Sequence, residues 1–246
     1  MENKNWGFNQ INQIKQPGVA QEPIVKTFMS SVFSWMGVAL ALSAITAYVF
    51  GNDMAYMSYL RDLSTGKMTG LGYIVMFAPL GFVLLMSFGF NKLSGMALTG
   101  LFLLYSVLTG MSLSFIFLVY AQTSITQIFF VTSAMFGTMA LVGYTTKTDL
   151  TKLGSLLYMA LIGIIIAAVV NMFLRSDAMS YFISFISVIL FTGLTAYDVQ
   201  KLKNIGAGVE YGTEATSKLA IMGALNLYLD FINLFLALLR LFGRRN

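Results

Sequence analysis

The sequence predicts an all-α integral membrane protein with seven transmembrane helices. Three observations lead there. Of 246 residues, 57% are hydrophobic and 10% are charged, whereas a soluble domain carries about 25% charge. Mean hydropathy is +0.77, which is more apolar surface than a water-soluble globule can hide. The apolar residues also fall into runs of about 20, the length a helix needs to cross the hydrocarbon core.

The elements follow in chain order. Residues 1–26 are polar, rich in Asn and Gln, with Pro17 and Pro23. They read as a flexible soluble tail, since no apolar core follows a basic start as it does in a signal peptide. Residues 27–246 read as a single membrane domain, with spans expected at 28–50, 71–90, 95–120, 125–145, 154–174, 180–200 and 217–241. The third and fourth are joined only by "AQTSIT", so they form a tight antiparallel hairpin, and the second and third are separated by "NKLSG". The longest connections are expected at 51–70 and 201–216. Gly37, Ala41, Ala44 and Ala47 recur along the first span, as Gly137 and Ala140 do in the fourth. Small residues let membrane helices approach closely. Pro79, inside the second span, removes a backbone hydrogen bond and marks a kink.

Orientation follows Lys and Arg in short loops. With the N-terminus cytoplasmic, Lys4, Lys15, Lys26, Lys92, Lys147, Lys152, Lys201, Lys203 and Lys218 lie inside, against Arg61, Lys67, Arg175, Arg240, Arg244 and Arg245 outside. Nine against six favours that orientation. The net charge of +5 is scattered rather than gathered among aromatics, so no nucleic-acid footprint is present.

Cysteine and histidine are both absent. This excludes disulfides, thiolate metal sites and cysteine nucleophiles. It also leaves proton chemistry near neutral pH to groups other than the usual imidazole.

Two carboxylates stand out against this background. Asp198, in "TGLTAYDVQKLK", and Asp230, in "ALNLYLDFINLFLALLR", sit at or within apolar spans. Residues three, four and seven apart share a helix face. From Asp230 that face carries Gly223, Asn226, Asn233, Ala237 and Arg240, while Leu225, Tyr228, Leu229, Phe231, Ile232, Phe235 and Leu236 flank it. A polar stripe of this kind must face protein or water inside the bundle, which makes the seventh span central. Asp198 has Thr195, Ser187 and Ser184 on roughly its own side. Ionisable groups at such depth are costly and mark function.

If the two carboxylates meet about 6 Å apart, they repel by roughly 3 kcal/mol at an effective dielectric constant near 20. The pair then shares one proton and titrates as a unit, sensing pH without histidine. Depth stands against contact. At 1.5 Å per residue, Asp198 is about 7 Å from Lys203 and Asp230 about 18 Å from Lys218. If both lysines mark one plane, contact requires tilt or a snorkelling Lys218.

An intramembrane aspartyl protease also uses two aspartates on successive helices, but Leu227, Tyr228 and Leu229 replace the Gly-x-Gly that precedes its later aspartate. A retinal protein needs a lysine deep in the last span, and Lys218 lies at its edge. The expectation is therefore a non-enzyme.

At "AYDVQKLK" and "LNLYLDFINLFLALLRLFG" the sequence resembles the Bax inhibitor-1 (transmembrane Bax-inhibitor-motif) family, bacterial type, over about residues 27–243. The resemblance implies seven helices, the last one central between two three-helix layers. It implies a di-aspartyl pair, here Asp198 and Asp230, whose protonation gates a calcium leak. Calcium takes about six to eight oxygens, and Asp198 and Asp230, with Asn226 and Asn233, would supply the weak, transient site that the implied leak needs. In some relatives an arginine at the end of the second helix latches the sixth-helix aspartate. The nearest residue here is Lys92, which lacks arginine's bidentate fork. An acidic residue found in the second helix of some relatives is missing from "PLGFVLLMSFGF". The resemblance also allows a regulatory role beside membrane proteases or cell-death factors, and a proton-coupled transporter is the other alternative. No resident cofactor is expected, because calcium would be the permeant ion. The expected location is the bacterial inner membrane.

Overall fold

The computed structural model describes residues 22–246 apart from residue 211. Its helices are α1 (Glu22–Asn52), α2 (Met54–Leu60), α3 (Gly70–Gly89), α4 (Gly95–Leu113), α5 (Gln122–Thr145), α6 (Thr151–Leu174), α7 (Asp177–Gly208) and α8 (Glu214–Phe242). Seven of these, all but α2, are long and apolar enough to cross a membrane.

The helix starts are chemically marked. Thr69, Ser94, Ser176 and Thr213 precede α3, α4, α7 and α8, and each side chain accepts from the N–H three residues on. Each cap satisfies one of the N–H groups that a first turn leaves unpaired.

Several boundaries differ from the sequence expectation. Helix α1 begins at Glu22, so its first turns take residues 22–26 from the expected tail. Residues 1–21 of that tail lie outside the described residues. The connection 51–70 contains α2, whose N-cap Asp53 accepts from the Ala55 N–H at 2.8 Å. A seven-residue helix is too short to span, so span length could not reveal it. The third span leaves α geometry after Leu113 and continues as a 3-10 turn over Ser114–Leu118. Helix α7 runs through Lys201 and Lys203 to Gly208, so most of the expected 201–216 loop is helical. Pro79 lies inside a continuous α3.

Helices α1, α3 and α4 form one layer, and α5, α6 and α7 the other. Helix α8 packs on α1, α4, α5 and α7 and so lies between them. Its apolar window is 61% buried, against 6% for α6, which places α8 at the centre and α6 at the rim.

Glycine makes close approaches where it meets a neighbour's backbone, and not at Gly37 or Gly137 of the expected small-residue stripes, although Ala47 and Ala140 of those stripes are buried. A Cβ on Gly37 or Gly137 would meet open space. On Gly110 it would come within 2.6 Å of the Ser43 carbonyl oxygen, where α4 crosses α1. On Gly143 it would run into the Ala196 carbonyl, where α5 crosses α7. Spacing identifies a small face but not which partner crosses it.

Both ends of the bundle are tied by side chains and termini. At the Lys-rich end, the Gln200 amide donates to Thr148 O and accepts from Leu150 N, both at 2.8 Å. Glu214 accepts from the Gly95 N–H at 2.9 Å. At the opposite end, Ala121 N donates to Arg244 O at 2.9 Å and Asn246 N to Val119 O at 3.0 Å, so the C-terminus straps the α4–α5 hairpin.

Candidate functional site

Helices α7 and α8 share the most extensive contact in the bundle. Beside their seam lies a cavity of about 680 Å³, lined also by α3, α6 and Tyr105 of α4. The polar face of α8 lines it as the sequence pattern requires: Asn226, Asp230, Asn233, Ala237 and Arg240 all border the space. Gly223 does not. It packs against Leu202 and Val32 instead. From α7, Ser184, Ser187 and Asp198 line the cavity. Thr195 is fully buried elsewhere, its hydroxyl donating to Phe191 O at 2.7 Å.

Asp198 and Asp230 are 4% and 5% exposed, so both carboxyls are withdrawn from solvent. They face each other within reach of a hydrogen bond, which forms only when one carries a proton, because two carboxylates are both acceptors. Tyr158 OH donates to Asp198 Oδ1 at 3.2 Å. Asp230 Oδ2 is buried with no protein hydrogen-bond partner. Buried polar atoms are nearly always paired, so each exception asks for an explanation.

The depth difficulty rests on Lys203 and Lys218 marking a common plane, and neither does. Lys203 Nζ donates to Tyr144 O at 2.8 Å and lies 5.0 Å from that ring. Lys218 Nζ lies 5.6 Å from the Phe90 ring. Helix α7 continues past Lys203 to Gly208, so the lysine does not mark its end.

Lys92 lies in the exposed turn between α3 and α4 and makes no ion pair with Asp198. Among the described residues the ion pair is Lys26–Glu22, at 3.8 Å. The cation near Asp198 is instead Lys201, one turn along α7, its Nζ 5.9 Å from the Tyr158 and Tyr197 rings. Sequence reasoning misses Tyr158 and takes Lys201 only as an interface marker. The signals are there: a lone phenol in "LLYMALIGIII" and a lysine at i+3 from Asp198.

Among the described residues no group of three or more His, Cys, Asp or Glu gathers. The available oxygen donors are the two carboxyls and the amides of Asn226 and Asn233. The Asn233 amide N–H₂ donates to Leu229 O at 2.8 Å, which leaves its carbonyl oxygen as an acceptor.

Comparison with known proteins agrees with this architecture. The family described as inhibitor of apoptosis-promoting Bax1 matches residues 25–246. An inner membrane protein of Escherichia coli, YbhL, is 47% identical over 97% of this chain and 98% of its own. An uncharacterized protein of Borreliella burgdorferi is 43% identical over 92% of this chain and 95% of its own. An uncharacterized membrane protein of Streptococcus pyogenes is 37% identical over 89% and 93%. A match over nearly the whole chain, on a bundle whose last helix is central, establishes that this membrane protein belongs to the Bax inhibitor-1 family.

Proposed function

We propose that the protein is a calcium leak channel whose path is gated by the protonation of Asp198 and Asp230. One observation carries this reading: two buried carboxyls face each other on the wall of a cavity, and one oxygen of Asp230 has no protein partner. With one proton shared, the carboxyls hydrogen-bond and hold α7 to α8. With both ionised they repel and draw in a cation. Lys201 offsets part of that charge, and Tyr158 orients Asp198 through its hydrogen bond.

Leu202 of α7 packs on Gly223 of α8, so conduction in this reading requires α7 and α8 to separate there. Calcium would meet two carboxylates and the Asn226 and Asn233 amides. These four groups reach the lower limit of about six oxygens only if both carboxylates bind through both of their oxygens, and a permeant ion must be released. No resident cofactor and no catalytic group enter the mechanism. The setting is the bacterial inner membrane with the N-terminus cytoplasmic, supported by the lysine bias of the loops.

The test is calcium flux into liposomes carrying the purified protein, scanned from about pH 5 to about pH 8, beside Asp230→Asn. The expected result is flux that rises with pH and loses that dependence in the variant. Wild-type protein that carries no flux at any pH would sink the leak reading. Saturable uptake driven by a proton gradient would assign a coupled transporter instead. Flux seen only when a second membrane protein is added would assign the regulatory role.

A further inference from the structure

The cavity is open on one flank. Helix α3 packs on α4 and α6 packs on α7, and the two do not pack on each other. Both nevertheless line the cavity. Leu80 of α3 and Ile165 of α6 stand on opposite lips, 64% and 54% exposed, so the lips belong to the lipid-facing surface. A cavity bordered by two peripheral spans that share no substantial packing, and whose lips face lipid, opens sideways into the hydrocarbon, where acyl chains are the solvent.

Its length and its exposed cation suit a particular occupant. Asp230 and Arg240 both line the space. They are ten residues apart on α8, which is about 15 Å at 1.5 Å per residue. That is half of a hydrocarbon core about 30 Å thick, the depth of one leaflet. Between them the lining from α8 is Asn233, Leu236 and Ala237, mostly small or apolar. Arg240 lies in the last turn of α8, is exposed, and has no carboxylate within ion-pair distance among the described residues. A guanidinium at that level is the natural partner of a phosphate, which it binds with two parallel hydrogen bonds.

We infer that the cavity is a binding site for one glycerophospholipid of the leaflet at the Arg240 end. Arg240 holds its phosphate, and one acyl chain enters between Leu80 and Ile165 and runs along α8 towards Asp230. This goes beyond the calcium reading and holds whether or not the protein conducts.

The test is photolabelling, which has no flux readout. The full chain is reconstituted in vesicles of phosphatidylethanolamine and phosphatidylglycerol. These contain a trace of phosphatidylglycerol bearing a diazirine at the end of one acyl chain. After irradiation, labelled positions are mapped by peptide mass spectrometry. The expected result is label on α8 between Asp230 and Ala237, which are 5% and 6% exposed and out of reach of the lipid ring around the bundle. Arg240→Gln lowers that labelling several-fold. It leaves label on the outward Phe130 and Leu141 of α5 unchanged, which shows that the variant is folded in the same bilayer. A diacylglycerol probe with the same chain but no phosphate labels α8 weakly, and excess inorganic phosphate has no effect. The inference is overturned if α8 stays unlabelled or if Arg240→Gln labels it like wild type. Equal labelling by diacylglycerol would also overturn it, and so would loss of label on adding phosphate, which would give Arg240 to the free anion.

Discussion

The two sides of α8 use polar side chains in opposite ways. Towards α1 and α4, Tyr228 is fully buried, and its hydroxyl lies 2.6 Å from Ser43 Oγ. Ser43 in turn donates to Ser106 O at 2.7 Å. The Tyr228 ring meets Phe102 and Tyr105 edge-on at 6.2 and 5.5 Å. Apart from Thr109 Oγ1, the buried side-chain oxygens there are partnered, and Gly110 lets α1 and α4 close together. Towards α3 and α6 the same helix leaves a cavity, two facing carboxyls and an unpartnered oxygen. One side uses its polar groups to hold helices together, and the other keeps them available. The difference teaches where stability and function divide in a small bundle.

The division can be broken or sharpened by substitution. The largest expected effect is on the open side. Adding Asp198→Asn to Asp230→Asn should remove no more pH dependence from calcium flux than the single change does, because groups that act as a pair are non-additive. Measured additivity would show two independent titrating sites. Next comes Gly110→Ala on the sealed side, whose new methyl meets backbone and cannot be relieved by a rotamer. It should lower thermal stability in detergent by about 1–3 kcal/mol, the usual range for overpacking.

Tyr228→Phe is a smaller change. It removes one buried hydrogen bond and should cost about 1 kcal/mol while the pH profile of flux keeps its midpoint. A moved midpoint would mean that the two sides are coupled.

The smallest effect lies remote from both sides. The Ser64 and Thr65 hydroxyls, and then their N–H groups, hold the exposed Asp62 well below the usual carboxylate range. A lowered folded value means that its contribution to the α2–α3 loop is present above the ordinary carboxylate range and lost as pH falls through the folded value. Asp62→Asn should therefore raise amide exchange across residues 62–66 at neutral pH, resembling the strongly acidified wild type, and leave flux untouched. Unchanged exchange would show that the loop does not depend on this carboxylate.

Much of the site is legible in the sequence. The α8 stripe of Asn226, Asp230, Asn233, Ala237 and Arg240 follows from helical period alone, and every one of those residues borders the cavity. Gly223 has the same period and packs instead against Leu202, because period alone does not say which neighbour a residue meets. Tyr158 does not stand out in the sequence because a phenol in an apolar span also suits lipid or core. Resemblance favours Lys92 as a latch over Lys201, yet the lysine one turn from Asp198 is the one beside it.

The sequence by itself determined that the chain crosses the membrane seven times, that its last helix is central, and that two carboxylates lie at depth. The reason is that the bilayer admits only apolar spans with internally satisfied backbones, so length and period carry the information. Tertiary structure alone decided that Asp198 meets Asp230, that Gly110 and Gly143 make the close crossings, and that α3 and α6 leave a gap. Each of these depends on how far a helix continues beyond its apolar run and on which neighbour its face meets. Side-chain fit between helices sets both, and period within one helix does not record it.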